Sequence, residues 1–522
     1  MANANIPPRG VMNLTEAAHY IRVSEKTLGE MARQQRIPSQ KVGREWRFLR
    51  EALENWLQGG ARDPSISASS VPSPRREVIT SSKQLALFEE SGFRDTAFTQ
   101  NRNEPFHRWV PWIAGFSASF VAGVFDALIP SPPSPVLVLD PFAGVGTTLM
   151  EGLKRGYNVA GFEINPYAAL ACRLKLTSFR FDLSSWKERI RAFEKYMTKA
   201  ISGSGAPSNS PPPGFKSRVP FFSPAVERQV LLVMDFISRQ REEWIREAFK
   251  LALGAVMVGF SNYSYEPSLG RREAAGKKDV LDADVKSILA SKLREMEDDA
   301  ALLKEIMTGF EHEPKISMHQ QSYIDPHNPL PVRSIDILIT SPPYLNNYHY
   351  VRNTRPQLYW LGLAGSSRDL NALEDSSFGK FWQTVRSGPE VELRLKSKKL
   401  SDLLKQLRIL NQERGAYGGG GWANYAAVYF NDCDRFFEVT KRVMKKNGAV
   451  VVVIGNNILQ GIEFKTDQIF AEIAEQHGFK VIDMHRVRTK RTGSSIVNSS
   501  VRIGEKNHRV ELYESAVELR AP

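Results

Sequence analysis

The chain has 522 residues, of which 42% are hydrophobic and 24% charged, and its formal net charge is +13. That length implies two or three domains, and the surplus of cations favours a polyanionic partner, nucleic acid before membrane. Two distant cysteines, Cys172 and Cys433, speak against a disulfide framework and a zinc site; with no signal-peptide pattern and no apolar run of ~18–20 residues, a cytoplasmic protein without metal or membrane span is expected.

Residues 10–58 read as one compact unit. Thr15 caps a short helix through Ile21, and Val23–Ser24 make a turn whose serine caps a second helix, Glu25 to Gln35. Ile37-Pro38 ends it. The run from Gln40 to Phe48 reads as a hairpin around Gly43-Arg44, and Arg50 to Leu57 as a last helix burying Leu53, Trp56 and Leu57. This pattern resembles the winged helix-turn-helix of the excisionase and MerR-like DNA-binding families. The resemblance implies a second helix in the major groove and a wing on the backbone or minor groove of double-stranded DNA. Ser24, Lys26, Thr27 and Arg33 would then face DNA around that helix, with Arg44 and Arg47 on the wing. Residues 59–85, rich in Ser, Pro and Gly, read as a flexible linker, and 86–522 as the second domain.

Within 86–522, an aromatic stretch from Glu104 to Ser117 precedes a helix-like segment, Ala118 to Leu128. Val136–Leu139 is a short apolar run with the composition of a buried parallel strand, and Asp140 stands at its end. Gly144 and Gly146 allow a tight turn, and Thr147 or Thr148 is a candidate cap for the helix that follows. Asn158 to Ile164 reads as the next strand, with Glu163 at its end. An acid placed there suits the hydroxyls of a ribose. From 171 to 310 the chain reads as a mostly helical insertion, too long for an ordinary crossover. Ser334 to Thr340 is another buried strand, running straight into Ser341-Pro-Pro-Tyr344, whose two prolines stop the ladder and make a rigid corner. Residues 362–421 form a second insertion. A helix from Tyr425 to Met444, a stop at Lys445–Gly448 and the most strongly apolar strand candidate, Ala449 to Gly455, follow; then come a helix from Phe464 to His477 and strands near 479–484 and 515–519.

Alternating strands and helices imply an α/β domain with a three-layer sheet. The glycine turn lacks the G-x-G-x-x-G spacing and the Walker lysine, which argues against dinucleotides and nucleoside triphosphates. Taken together, Asp140-Pro-Phe-Ala-Gly-Val-Gly146 and Thr340-Ser-Pro-Pro-Tyr344 resemble the two motifs of the DNA amino-methyltransferases, which modify cytosine N4 or adenine N6. That resemblance implies a Rossmann-like S-adenosylmethionine-dependent methyltransferase sheet with helical insertions, beside the small winged helix-turn-helix domain. It implies S-adenosyl-L-methionine as cofactor, held by Phe116, Asp140, Phe142, Gly144, Gly146, Thr147 and Glu163. It also implies a catalytic corner of Ser341, Pro342, Pro343 and Tyr344. The acid that the family carries near the adenine has no counterpart in His319–Tyr323, where Gln321 and Ser322 are the candidates.

The chemistry accounts for the corner. An exocyclic amine is a poor nucleophile because its lone pair is conjugated into the ring. Hydrogen bonds from it to Ser341 and to the Pro342 carbonyl would draw it toward tetrahedral geometry, while Tyr344 stacks on a base flipped from the duplex. Neither cysteine follows a proline, so methylation at a ring carbon through a cysteine nucleophile is disfavoured. In the family that the chain resembles, serine at the first position of the corner is commoner among N4-cytosine enzymes and aspartate among adenine enzymes, so the resemblance favours cytosine N4 over adenine N6. RNA as substrate and a non-catalytic DNA-binding regulator are the further readings, and a separately encoded restriction endonuclease is a candidate partner.

Overall fold

The computed structural model describes residues 11–21, 23–33, 37–42, 45–49, 53, 101–112, 115–129, 135–265, 268–345, 349–490 and 511–522. The chain divides into two compact units, Met1–Ile79 and Thr80–Pro522.

The first unit is a small helix-and-hairpin fold. Its first helix, Leu14–Tyr20, is capped by Asn13 rather than Thr15: the Asn13 side chain accepts from the Glu16 amide while Glu16 reaches back to the Asn13 amide. This reciprocal pair satisfies two amides at once, which a threonine inside the first turn does not do. Ser24 Oγ accepts from Thr27 N at the start of the second helix, Glu25–Arg33. Strands β1 (Val11–Met12), β2 (Gln40–Val42) and β3 (Glu45–Leu49) form a sheet in the order β1-β3-β2. Ala17, Ala18, Leu28, Ala32, Ile37, Phe48 and Leu53 make its core. Arg44, Trp56, Leu57 and the expected linker at 59–85 lie outside the described residues.

The second unit is built on a seven-stranded sheet. Its strands are β4 (Leu137–Asp140), β5 (Asn158–Phe162), β8 (Ile316–His319), β9 (Ile335–Thr340), β10 (Met444–Gly455), β13 (Lys480–Lys490) and β14 (Leu512–Arg520). The hairpin β6 (Tyr263–Tyr265) with β7 (Leu269–Arg271) and the pair β11 (Asn457–Leu459) with β12 (Ile462–Phe464) stand apart from it. The order is β13-β14-β10-β9-β4-β5-β8. Pairing is parallel from β10 through β8, and β14 is antiparallel to both its neighbours.

Both faces of this sheet are buried, which is why its central strands read as unbroken apolar runs. In β10, Val450, Val452 and Ile454 join the core under the helices Gly419–Val443 and Thr466–Gln476. Ala449, Val451 and Val453 point to the core beneath Ala118–Leu128 and Thr147–Leu153. The turn expected at Lys445–Gly448 is absorbed into β10 as a register shift between Met444 and Ala449, with Asn447 at φ 59.

A third core fills the helical insertion, where the helices Leu183–Ser202, Pro224–Ser238, Glu243–Val256 and Val285–Thr308 pack around Trp186, Phe193, Phe236 and Phe249. Tyr167 and Ala171, on the helix Pro166–Thr177 that follows β5, belong to the same core, as do Leu358 and Trp360. The insertion is therefore fused to the body built on the seven-stranded sheet rather than appended to it. The insertion, which the sequence reads as mostly helical, also contains the β6–β7 hairpin. Among the described residues no helix is long and apolar enough to cross a membrane.

Candidate active site

Strand order reverses at β4. From β4 the chain steps to β5 and β8 on one side, then returns to β9 and β10 on the other. Ligands of open α/β sheets bind at the carboxyl ends of the strands at such a switch point. β4 and β9 are direct neighbours, Val138 facing Ile337 and Leu139 facing Leu338. Their ends carry the two motifs, brought together across 200 residues.

The junction is a hydrogen bond. Thr340 Oγ1 donates to Asp140 Oδ1 at 2.6 Å, and the Phe142 amide donates to the same oxygen at 3.0 Å. Asp140 is 1% exposed. Burial pushes its carboxyl up and these donors pull it partly back, leaving it at about 6. Glu163, beyond the end of β5, accepts from Gly144 N at 3.0 Å and from Asn165 N at 2.7 Å. Burial raises it to about 7.

Gly144 and Gly146 both have positive φ, 50° and 86°. A side chain at Gly146 would meet Cys172 Sγ at 2.7 Å, and one at Gly144 would meet Trp112 Nε1 at 3.3 Å. Gly146 is itself the N-cap of the helix Thr147–Leu153, so Thr147 is its first residue and not its cap. From below, the buried ammonium of Lys175 donates to the Val145 carbonyl at 3.0 Å. The loop is thus gripped by two side chains of one helix, Cys172 and Lys175.

One cavity runs over both strand ends. Phe116, Asp140, Phe142, Gly144, Thr147, Glu163, Ser341 and Pro343 all line it, and so do Gln321, Ser322 and Tyr323. Three expected residues stand behind its wall. Gly146 packs against Cys172, Pro342 does not reach the lining, and Tyr344 is turned so that its hydroxyl lies 3.5 Å from Ser341 Oγ. Sequence reasoning missed several walls. Trp112 and Tyr350 face the cavity as a stacked pair, with ring centres 6.0 Å apart. The loop 376–381 of the second insertion adds Ser377, Phe378, Lys380 and Phe381, with Phe378 set edge-on to Phe142 at 5.0 Å. The aromatic density of 104–117 was the one available signal. Its anchor is distant: Asp299 of the long insertion helix accepts from Phe106 N, from the Arg108 guanidinium and from Trp109 Nε1.

The lining selects its ligand. The Gly144 amide, which a phosphate-binding loop would leave open to an anion, is spent on Glu163. Two carboxylates at the strand ends, Asp140 buried and Glu163 half-buried, oppose a phosphate and favour a cation or a diol. The site fits a positively charged, ribose-bearing cofactor without phosphate, as a sulfonium nucleoside is.

In the first unit, Ser24, Thr27 and Arg33 are exposed, but the Ser24 hydroxyl is engaged, with Thr27 Oγ1 2.7 Å away. Arg47 pairs with Glu45 at 2.6 Å. The side chain of Lys26 is not among those described, and Arg44 lies outside the described residues.

Comparison with known proteins agrees with this geometry. Residues 11–61 match the family model described as a helix-turn-helix domain. Over 441 residues the chain is 23% identical to the type II methyltransferase M.BsoBI of Geobacillus stearothermophilus, covering 76% of this chain and 83% of that protein. It is 24% identical over 448 residues to the type II methyltransferase M.AvaI of a Nostoc species, covering 81% and 88%. With the type II methyltransferase M.MvaI of Kocuria varians the identity is 24% over 361 residues, covering 67% and 75%. By its sheet order, its paired strand-end motifs and these relatives, the chain is a relative of the type II methyltransferases on the Rossmann-like, S-adenosylmethionine-dependent fold, with a helix-turn-helix domain at its N-terminal end.

Proposed function

We propose that this protein methylates DNA at the exocyclic amine of a flipped base, cytosine N4 in preference to adenine N6. The observation that carries the reading is the Thr340–Asp140 hydrogen bond, which puts the serine corner and the glycine loop on one cavity. The names of the relatives and the helix-turn-helix match support DNA as the substrate.

S-adenosylmethionine supplies a methyl group activated by its positive sulfur. In this reading Glu163 accepts hydrogen bonds from the ribose hydroxyls. Asp140 and the backbone from Phe142 to Gly144 border the methionine part, with Phe116 and Thr147 closing the wall. The target amine would donate to Ser341 Oγ, and to the Pro342 carbonyl where a seated base exposes it, which would draw its lone pair out of conjugation toward the methyl group that the bound cofactor would supply. The proton that the methylated amine loses would pass to solvent. Pro343 keeps the corner rigid, Tyr350 on the cavity wall supplies aromatic surface for the base, and Tyr344 supports Ser341 from behind. Alignment provides most of the acceleration. Ser24, Lys26, Thr27, Arg33, Arg44 and Arg47 of the first unit contact duplex DNA beyond the target.

The test is to incubate the full chain with methyl-labelled S-adenosylmethionine and duplex DNA or RNA, then to identify modified nucleosides by mass spectrometry. N4-methylcytosine in DNA is the expected product. N6-methyladenine would replace the base assignment, and label confined to RNA would overturn the DNA reading. Cofactor binding without transfer to either would favour a regulator.

A further inference from the structure

We propose that Arg352 and Lys380 form a clamp on the phosphodiesters flanking the flipped nucleotide, contributed by two different segments of the chain. The inference rests on the reading as a DNA methyltransferase and specifies how that site holds its strand.

Both residues line the same cavity as Ser341, and they are the only lysine and arginine on its described lining. Asp140 and Glu163 sit at the buried strand ends, whereas Arg352 is exposed and Lys380 half-buried. The third carboxylate of the lining, Glu374, does not neutralise them. Its carboxyl is raised by burial and by neighbouring Asp375, with no cation pulling it down. Among the described residues neither Arg352 nor Lys380 forms an ion pair. Lys380 feels the Asp432 carboxylate behind its loop without pairing with it, so a cavity with anionic depths and two unpaired cations nearer solvent suits a ligand whose uncharged part enters while its anionic part stays outside. A flipped nucleotide is such a ligand: the base goes in, and a phosphate remains on either side of it.

Each cation is carried on backbone that is held in place. Arg352 lies in the short helix Tyr350–Asn353, whose last residue is pinned by the β6–β7 hairpin. Asn353 Oδ1 accepts from Leu269 N at 2.7 Å, the Asn353 carbonyl accepts from Tyr265 Oη at 3.0 Å, and Asn353 Nδ2 donates to the His349 carbonyl at 2.8 Å. Lys380 has φ 53, a left-handed conformation that non-glycine residues seldom keep. The preceding residue, Gly379, donates its amide to buried Asp432 at 2.9 Å, and a side chain there would strike Tyr429 at 2.7 Å. On either side, Phe378 packs on Phe142, and Phe381 sits edge-on to His349 at 4.1 Å. Unfavourable backbone retained by its surroundings is a feature of ligand-holding segments. Here it aims one lysine at the cavity.

The test uses the full chain with Arg352→Gln and Lys380→Gln, and a duplex that the wild type methylates. Binding is measured across a salt series, together with S-adenosylmethionine affinity. A second duplex carries uncharged methylphosphonates at the two phosphates flanking the target base. We expect each variant to bind the natural duplex more weakly, with the slope of log K against log salt reduced by about 0.9. The methylphosphonate duplex should weaken the wild type similarly and cost the double variant nothing further. S-adenosylmethionine affinity should not change. An unchanged salt slope would overturn the clamp, as would a loss of cofactor affinity, which would assign the cations to the cofactor carboxylate. In either case the wild type would still methylate the duplex, so the clamp can fail alone. A wild type that transfers no methyl group to DNA would overturn both readings.

Discussion

Thr340 donates its hydroxyl to Asp140 at 2.6 Å, joining the last residues of two adjacent parallel strands. The bond matters because Asp140 is buried and its carboxylate is expensive to ionise there. Thr340→Val keeps the shape and removes the donor. Losing one hydrogen bond to a buried charged group costs roughly 1.5–3 kcal/mol, which raises Asp140 by roughly one to two pKa units, so cofactor affinity at neutral pH should fall about 2- to 10-fold. The midpoint of its pH dependence should move upward. Calorimetric titration with S-adenosylmethionine from pH 5.5 to 8.5 measures both. Unaltered affinity and midpoint would separate the two motifs energetically.

The two raised carboxylates make a pH prediction with a definite sign. Asp140 moves from 3.8 to about 6 and Glu163 from 4.5 to about 7 on folding. The folded chain thus holds more protons than the unfolded one between about pH 4 and 7. These groups favour folding below pH 4, and that contribution is lost as pH rises through about 7. A cationic cofactor favours the ionised forms. Its affinity should therefore rise with pH over about 5.5 to 7.5, while the ligand-free protein loses stability from these two groups. Glu163→Gln should flatten the affinity profile; an unchanged profile would exclude Glu163 as its source.

Lys175 titrates in the opposite sense. Its ammonium is lowered from 10.5 to about 8 by burial and is held by the Val145 carbonyl. The unfolded chain holds more protons between pH 8 and 10.5, so the cost of this buried charge is full below pH 8 and disappears as pH rises to 10.5. By its shift that cost is on the order of 3 kcal/mol. Lys175→Met should leave thermal stability at pH 7 equal or higher, yet weaken cofactor binding roughly tenfold by releasing the glycine loop, a loss of about 1.4 kcal/mol. A parallel fall in both would mark Lys175 as merely structural.

Gly146 tests the grip from the other side. Gly146→Ala places a methyl group against Cys172 Sγ at φ 86. Strain and overlap together predict a loss of roughly 2–4 kcal/mol in chemical denaturation. Adding Cys172→Ala removes the sulfur and should recover the overlap part, leaving only the backbone cost. Equal stability of the single and double variants would show that the clash is relieved some other way.

The sequence alone determined the local chemistry. Asp140-Pro-Phe-Ala-Gly-Val-Gly146 and Ser341-Pro-Pro-Tyr344 are legible because a strand end, a glycine turn and a double proline are contiguous in the chain. The apolar runs of β4, β9 and β10 are legible for a related reason, since both of their faces are buried. Strand β8 was not legible, because Ile316–His319 is short, half-exposed and at the sheet edge. Caps were misplaced by one or two residues where several suitable side chains stood together, as with Asn13 and Thr15.

Tertiary structure alone decided what surrounds the motifs. Trp112, Tyr350, Phe378 and Lys380 sit in segments with no motif of their own, and each reaches the cavity through a contact distant in the chain: Asp299 for the segment before Trp112, Asn353 with the β6–β7 hairpin for Tyr350, Asp432 for the loop of Phe378 and Lys380. The two insertions look like interruptions in a linear reading. Folded, they brace the cavity and furnish part of its wall. Long-range packing selects those neighbours, and no local pattern records it.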